Sequence, residues 1–252
     1  HEKKIPWLKS LYLYIKYMLD TKIYLDGANL DDVRLMSSDN IISGFTSNPS
    51  LMTKSGITNY DDFIKQFLNL SNNKPVSFEV ISDTFEQMES EARKIYSYGE
   101  NIYVKIPITN SMGISSLNLI RKMLNENYKI NITAILSSNQ LEDIIDILKE
   151  EDDVLISYFA GRVADTGVDP VPVMLDLKKK ILEKKLLKSK ILWASPREVF
   201  NIYQADRIGV DIITVTKSLI EKLKLKNKDL NEYSLETVKM FLKDAQINKL
   251  KI

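Results

Sequence analysis

The 252-residue sequence predicts a single (β/α)8 barrel with an extra C-terminal helix. Short β-branched runs recur along the chain, each followed by a helical pattern. No long Gly/Ser/Pro-rich linker divides that alternation into two domains. Polar residues fall repeatedly at the C-terminal ends of otherwise apolar runs, where such barrels gather their chemistry. An open doubly wound sheet is the alternative topology. No G-x-G-x-x-G follows the first strand, which weakens a dinucleotide-binding reading.

Strands are predicted at Lys22–Asp26, Ile42–Phe45, Val76–Val80, Ile102–Ile106, Ile130–Ile135, Val154–Tyr158, Ile191–Ala194 and Asp211–Val215. Helices are predicted between and after them at Leu30–Ser37, Tyr60–Asn69, Phe85–Tyr96, Gly113–Asn125, Asn139–Lys149, Val171–Glu183, Pro196–Arg207 and Lys217–Leu223. In the third of these, Phe85, Met88, Ala92 and Ile95 recur at helical spacing, so one face is apolar. Ser138 is expected to cap the helix carrying Leu141, Ile144, Ile145 and Leu148, and Ser195 to precede Pro196 in a first turn. A polar stretch over 224–232 leads to a last helix over 235–248, in which Val238, Phe241 and Leu242 can share a face with Tyr233. The expected organisation is an N-terminal extension or arm over 1–21, the barrel over 22–223, and a linker and helix over 224–252 that packs on a neighbouring subunit.

Composition narrows the chemistry. There are 35 Lys+Arg against 34 Asp+Glu, a net charge of +1, so nothing favours nucleic acid or an anionic membrane. No apolar run approaches the roughly 20 residues that span a bilayer. Cysteine is absent, which excludes disulfides, thiolate catalysis and Cys-ligated metals and fits a cytoplasmic location. His1 is the only histidine, so histidine triads and multi-His metal sites are excluded as well unless the terminus itself reaches a site. The remaining candidates are Lys, Asp, Glu, Ser, Thr, Tyr, Asn and Arg.

A polar residue at the end of an apolar strand costs free energy unless it is paired or used. That filter selects Asp26, Thr46, Asn48, Glu79, Lys105, Asn131, Thr133, Ser157, Arg162, Ser195 and Arg197. Lys105 stands out in Ile102-Tyr103-Val104-Lys105-Ile106-Pro107. An amine pointing into the barrel loses hydration, which lowers its pKa and makes it a nucleophile for carbonyls. A lysine snorkelling to the rim is the bland alternative. Asp26 and Glu79 end the first and third strands and can supply acid–base groups, or form an ion-pair cluster only. Thr46, Asn48, Asn131, Thr133 and Ser195 suit hydrogen bonding to a polyol, or else cap strand ends. Arg162 and Arg197 follow the sixth and seventh strands, where late loops bind phosphate. A surface ion pair is the alternative for each.

Several segments resemble one known family. Gly44-Phe45-Thr46-Ser47-Asn48-Pro49-Ser50-Leu51-Met52 is similar to the T-[ST]-N-P-S signature of transaldolases, and Val104-Lys105-Ile106-Pro107-Ile108-Thr109 to its lysine signature. Further similar segments are Leu25-Asp26-Gly27-Ala28-Asn29, Phe78-Glu79-Val80, Asn131-Ile132-Thr133-Ala134-Ile135, Ser157-Tyr158-Phe159-Ala160-Gly161-Arg162 and Ala194-Ser195-Pro196-Arg197. The resemblance is to the short-chain subfamily, which also holds fructose-6-phosphate aldolases. It implies that Lys105 forms a Schiff base, Asp26 transfers protons, and Glu79 with Thr133 holds a water. Thr46, Asn48, Asn131, Ser157, Phe159, Arg162, Ser195 and Arg197 form the expected substrate-binding set, with Arg162 and Arg197 on phosphate. It also implies no metal, no organic cofactor and a homo-oligomer, such as a decamer of pentameric rings.

The implied activity is transfer of a three-carbon dihydroxyacetone unit from a ketose phosphate to an aldose phosphate. A lyase releasing dihydroxyacetone is the first alternative, and a catalytically silent sugar-phosphate-binding barrel the second. Phe159 and Glu79 are similar to the transferase branch, where the aldolase branch carries Tyr and Gln. Phe45, Gly27, Tyr158 and an extra residue between Thr109 and Gly113 depart from the family pattern, and the last two leave donor and acceptor identity open.

Overall fold

The computed structural model describes residues 19–249. Eight parallel strands close into a barrel in chain order: β1 (Lys22–Asp26), β2 (Ile42–Thr46), β3 (Val76–Glu79), β4 (Ile102–Pro107), β5 (Ile130–Ile135), β6 (Val154–Tyr158), β7 (Lys190–Trp193) and β8 (Ile212–Val215). Between and after them lie α1 (Leu30–Ser37), α2 (Pro49–Lys54), α3 (Tyr60–Leu70), α4 (Phe85–Tyr96), α5 (Leu117–Asn125), α6 (Ser138–Ile147), α7 (Ala160–Asp165), α8 (Val171–Glu183), α9 (Phe200–Arg207), α10 (Lys217–Lys222) and α11 (Leu230–Ile247). The predicted (β/α)8 barrel is the fold observed, with α11 as the expected further helix. Residues 1–18, most of the expected N-terminal arm, lie outside the described residues. Asp20 and Thr21 donate backbone N–H groups to Asp206, and the Thr21 hydroxyl donates to the Val210 carbonyl at 2.7 Å.

Several expected boundaries move, each for a local reason. Ser137, not Ser138, caps α6, because Gln140 stands three residues beyond it and completes a reciprocal capping box. The helix expected from Gly113 starts at Leu117. Asn110 instead accepts from the Met112 and Ile114 N–H groups, Gly113 takes φ +76°, and Thr109 pairs with Ser115. The helix expected from Pro196 starts at Phe200, since Ser195 adopts φ +57° and the Asn201 side chain accepts from the N–H groups of Arg197 and Glu198. Asp229 caps α11 earlier than expected, through the Asn231 and Glu232 N–H groups. The six-residue helices α2 and α7 are too short to leave a periodic signature.

The outward strand faces pack on helices. Phe45 and Phe78 meet Phe67 edge to face, with ring centroids 5.5 and 5.4 Å apart, and Phe63 joins Phe78 at 6.1 Å. Burying such a ring contributes roughly 1.5–3 kcal/mol. The inward face is filled in part by Tyr24, Leu155, Leu192, Ala194 and Ile212, with Tyr103 and Phe159 packed against them. Tyr24 fits because its neighbour on β2 is Gly44, where an added Cβ would sit 2.5 Å from the ring. Burial, with the Asp153 charge adding to it, pushes the Tyr24 hydroxyl up to about 12, so it stays neutral. Tyr103 donates to Asp153 at 2.7 Å.

The chain divides into two compact units, one through Ile220 and one from Glu221. In the second, a 3-10 turn at Leu223–Leu225 precedes α11, which has no buried residue and exposes Leu235, Val238, Phe241 and Leu242. Among the described residues, no helix is long and apolar enough to cross a membrane.

Candidate active site

Strand alternation sends every second side chain into the lumen, and register then sets which ones meet. Glu79 on β3 is paired in register with Lys105 on β4, and Lys105 with Asn131 on β5. The Lys105 amine is 3.0 Å from Glu79 Oε2 and donates to the Ser47 carbonyl at 3.1 Å, with the residue only 6% exposed. Of the two carboxylates expected to meet Lys105, Asp26 and Glu79, its ion-pair partner is Glu79. Tyr60, set in the aromatic cluster, donates to the Glu79 backbone carbonyl at 2.8 Å and fixes the end of β3.

Asp26 and Thr46 are register partners, and the Thr46 hydroxyl donates to Asp26 Oδ1 at 2.8 Å. Burial holds the Asp26 carboxyl above the usual carboxylate range. The Lys105 charge and the Thr46 hydrogen bond oppose that rise, and Glu79 adds to it. Asp26 senses the Lys105 charge but makes no direct ion pair with it.

Asn131 and Ser157 form a buried chain: Ser157 donates to Asn131 Oδ1 at 2.6 Å, and Asn131 donates to Ser77 Oγ at 2.9 Å. Thr133, 1% exposed, is register partner to Pro107, and its hydroxyl has no hydrogen-bond partner among the described residues. Beside it Ala134 has φ +60°, and the β5–β6 register shifts between Ile132 and Ile135. A residue without the freedom of glycine held there stores local strain.

The remaining expected residues sit at the rim. Asn48 caps α2, accepting from the Leu51 N–H at 3.0 Å. Arg162 is exposed and lies over the Phe159 ring, 5.5 Å from its centroid. Arg197 instead grips Asp165 through a two-point pair, with Nε 2.9 Å from Oδ1. Ser195 is half-buried and lies against α7. An added Cβ at Gly161 would sit 1.5 Å from its carbonyl oxygen, so only glycine allows that approach. Sequence reasoning missed Ser77, the Ser47 carbonyl and Thr214, whose hydroxyl is 2.5 Å from that of Thr46. Ser77 and Thr214 are in lumen phase with Glu79 and Ile212, a signal that a search of strand ends alone passes over.

Solved structures share the fold. Dihydrodipicolinate synthase from Rhodopseudomonas palustris aligns with a TM-score of 0.55 and 11% identity, over 90% of this chain and 80% of that one. An aldolase designated QR15 aligns at 0.56 and 12%, over 83% and 97%. At these identities the likeness is one of fold alone. Fold and lumen together define a (β/α)8 barrel with a buried lysine among carboxylates, hydroxyls and amides.

Sequence comparison narrows this further. The chain is 32% identical over 204 residues to a probable transaldolase of Thermoplasma acidophilum, covering 80% of this chain and 87% of that protein. It is 33% identical to a probable transaldolase of Thermoplasma volcanium (84% and 91%), and 30% identical to one of Nitrosopumilus maritimus (88% and 94%). Residues 23–252 match the Transaldolase/Fructose-6-phosphate aldolase family, and the chain belongs to it.

Proposed function

We propose that this enzyme is a transaldolase-type transferase working through a Schiff base on Lys105. The observation that carries the reading is the buried Lys105 amine 3.0 Å from Glu79, in the same lumen as an Asp26 carboxyl that responds to both charges. The donor is a ketose phosphate such as fructose 6-phosphate. Lys105 attacks its C2 carbonyl, and loss of water from the carbinolamine gives an imine. Glu79 is the nearest base for the amine proton, and with the Thr133 hydroxyl it would hold the water involved. Asp26 takes the C4 hydroxyl proton as the C3–C4 bond breaks and an aldehyde phosphate leaves. The three-carbon enamine stays on Lys105, adds to an aldose phosphate, and the new alkoxide recovers the proton from Asp26. Hydrolysis of the imine then frees the product.

Thr46, Asn48, Asn131, Ser157 and Ser195 would bind donor hydroxyls, with Phe159 walling the pocket. Arg162, which makes no ion pair among the described residues, is the principal phosphate ligand, and Arg197 the second. Neither metal nor organic cofactor enters this scheme, and its setting is the cytoplasm. The apolar side chains exposed along α11 support packing on another copy in a homo-oligomer.

The test is reductive trapping. With donor and borohydride, Lys105 should gain the mass of the reduced three-carbon adduct. An unmodified Lys105 under saturating donor rejects the proposal. Free dihydroxyacetone, measured with and without an aldose phosphate, then separates transfer from release.

A further inference from the structure

The lumen holds a hydroxyl that the proposed cycle does not use. Thr214, on β8, is 5% exposed and lies 2.5 Å from the Thr46 hydroxyl, which itself donates to Asp26 at 2.8 Å. The three residues come from three adjacent strands, β8, β1 and β2, with Tyr24 the register partner of Thr214 and Asp26 that of Thr46. Whenever Asp26 is ionised, proton counting gives the direction of this chain. An ionised carboxylate only accepts, so Thr46 must spend its single proton on Asp26. The contact between the two threonines therefore uses the proton of Thr214.

We infer that Thr214 is a positioning residue for Asp26: its hydroxyl donates to Thr46, and that bond strengthens the one Thr46 makes to the carboxylate. A donor whose own oxygen accepts a hydrogen bond is more polarised and binds an anion more tightly, the more so where water is excluded. Among the described residues no hydrogen bond joins Thr214 to the carboxylate or to the amine, so its route to Asp26 runs through Thr46. The charged groups facing Asp26 are Lys105 from β4, which favours its ionised form, and Glu79 from β3, which opposes it. Neither touches Thr214, and the Lys105–Glu79 pair lies on the strands β3 and β4. Removing the Thr214 hydroxyl should therefore weaken support for the Asp26 anion while leaving the amine and its partner in place.

The inference rests on the proposed function for its catalytic meaning, but not for its test. Asp26 can be followed in the resting enzyme by carboxyl 13C NMR titration, its signal assigned by loss in Asp26→Asn. Thr214→Val keeps the side-chain shape and the β-branched fit to the strand while removing the hydroxyl. The Asp26 midpoint should move upward by on the order of 0.3 pH unit, the share of one supporting bond. Thr214→Ser, which restores the hydroxyl, should return it to the wild-type position, and the acid limb of kcat/KM should follow the same order. Thr214→Ala gives the same comparison should the valine variant not be recovered folded. An unchanged midpoint, a downward shift, or equal shifts in Thr214→Val and Thr214→Ser would each overturn the assignment. Failure of borohydride trapping with the midpoint order intact would remove the Schiff-base reading and leave the Thr214–Thr46–Asp26 chain standing.

Discussion

Glu79 Oε2 lies 3.0 Å from Lys105 Nζ, on neighbouring strands paired in register, and both side chains are largely shielded from solvent. The pair compensates the desolvation of each charge, so removing one partner leaves the other stranded. Glu79→Gln keeps the volume and removes the charge. Urea denaturation at neutral pH should show a loss of about 1–3 kcal/mol. Lys105→Ala should lower kcat by roughly 10^3-fold or more while sugar-phosphate binding persists by calorimetry.

Asp26 yields a prediction of opposite sign for stability. Its carboxyl is held above the ordinary range chiefly by burial, so the folded state binds a proton that the unfolded chain releases as pH rises. The stability linked to that proton is complete below the unfolded carboxyl pKa and is lost as pH climbs through the raised folded value. Asp26→Asn should therefore raise Tm at pH 7 to 8 and give no gain near pH 3, while abolishing turnover. A scan of Tm against pH for both proteins checks this. Equal Tm at all pH values would count against a buried ionised carboxyl.

Arg162 and Arg197 differ in freedom, one lying over Phe159 and the other held by Asp165. Arg162→Ala should raise KM for a phosphorylated donor about 10–100-fold, as loss of a charge-assisted contact does, and leave that for an unphosphorylated analogue nearly unchanged. Asp165→Asn should loosen Arg197 and lower the phosphorylated donor's KM severalfold. Initial rates on matched donors with and without phosphate read both effects.

Backbone geometry near the mouth makes two positions intolerant. Gly161→Ala would put a methyl group 1.5 Å from the Ser195 carbonyl oxygen, forcing α7 away from the end of β7. The expected cost is about 1–3 kcal/mol, with donor KM raised because Ser195 and Arg162 move together. Ala134→Val asks a β-branched residue to hold φ +60° and should cost a similar amount, about 1–3 kcal/mol, by thermal or urea unfolding.

Much of this was legible in the sequence because strand period and lumen chemistry are both local properties. Lys105 and Glu79 announce themselves as charges in apolar strands, and register brings them together without further information. The positions that resisted reading depend on contacts distant in sequence or on turn geometry. Arg197 is legible as a late-loop arginine, but its pairing with Asp165, thirty-two residues earlier, is not. Ser195 and Pro196 look like a helix start, yet the left-handed backbone at Ser195 and the Asn201 side chain postpone the helix to Phe200. Thr214 carries no charge and sits inside a strand where threonine is ordinary, so only its place beside Thr46 reveals it.

The Tyr24 ring, admitted by the missing side chain of Gly44, fills lumen space beside Leu155, Leu192 and Ile212. Substrates of the proposed cycle would reach Lys105 from the C-terminal end of the strands, where barrels of this kind gather their chemistry. In the proposed cycle the fragment waits on Lys105, so the two sugars take turns, the first departing before the second arrives. Double-reciprocal plots with both sugars varied should accordingly give parallel lines.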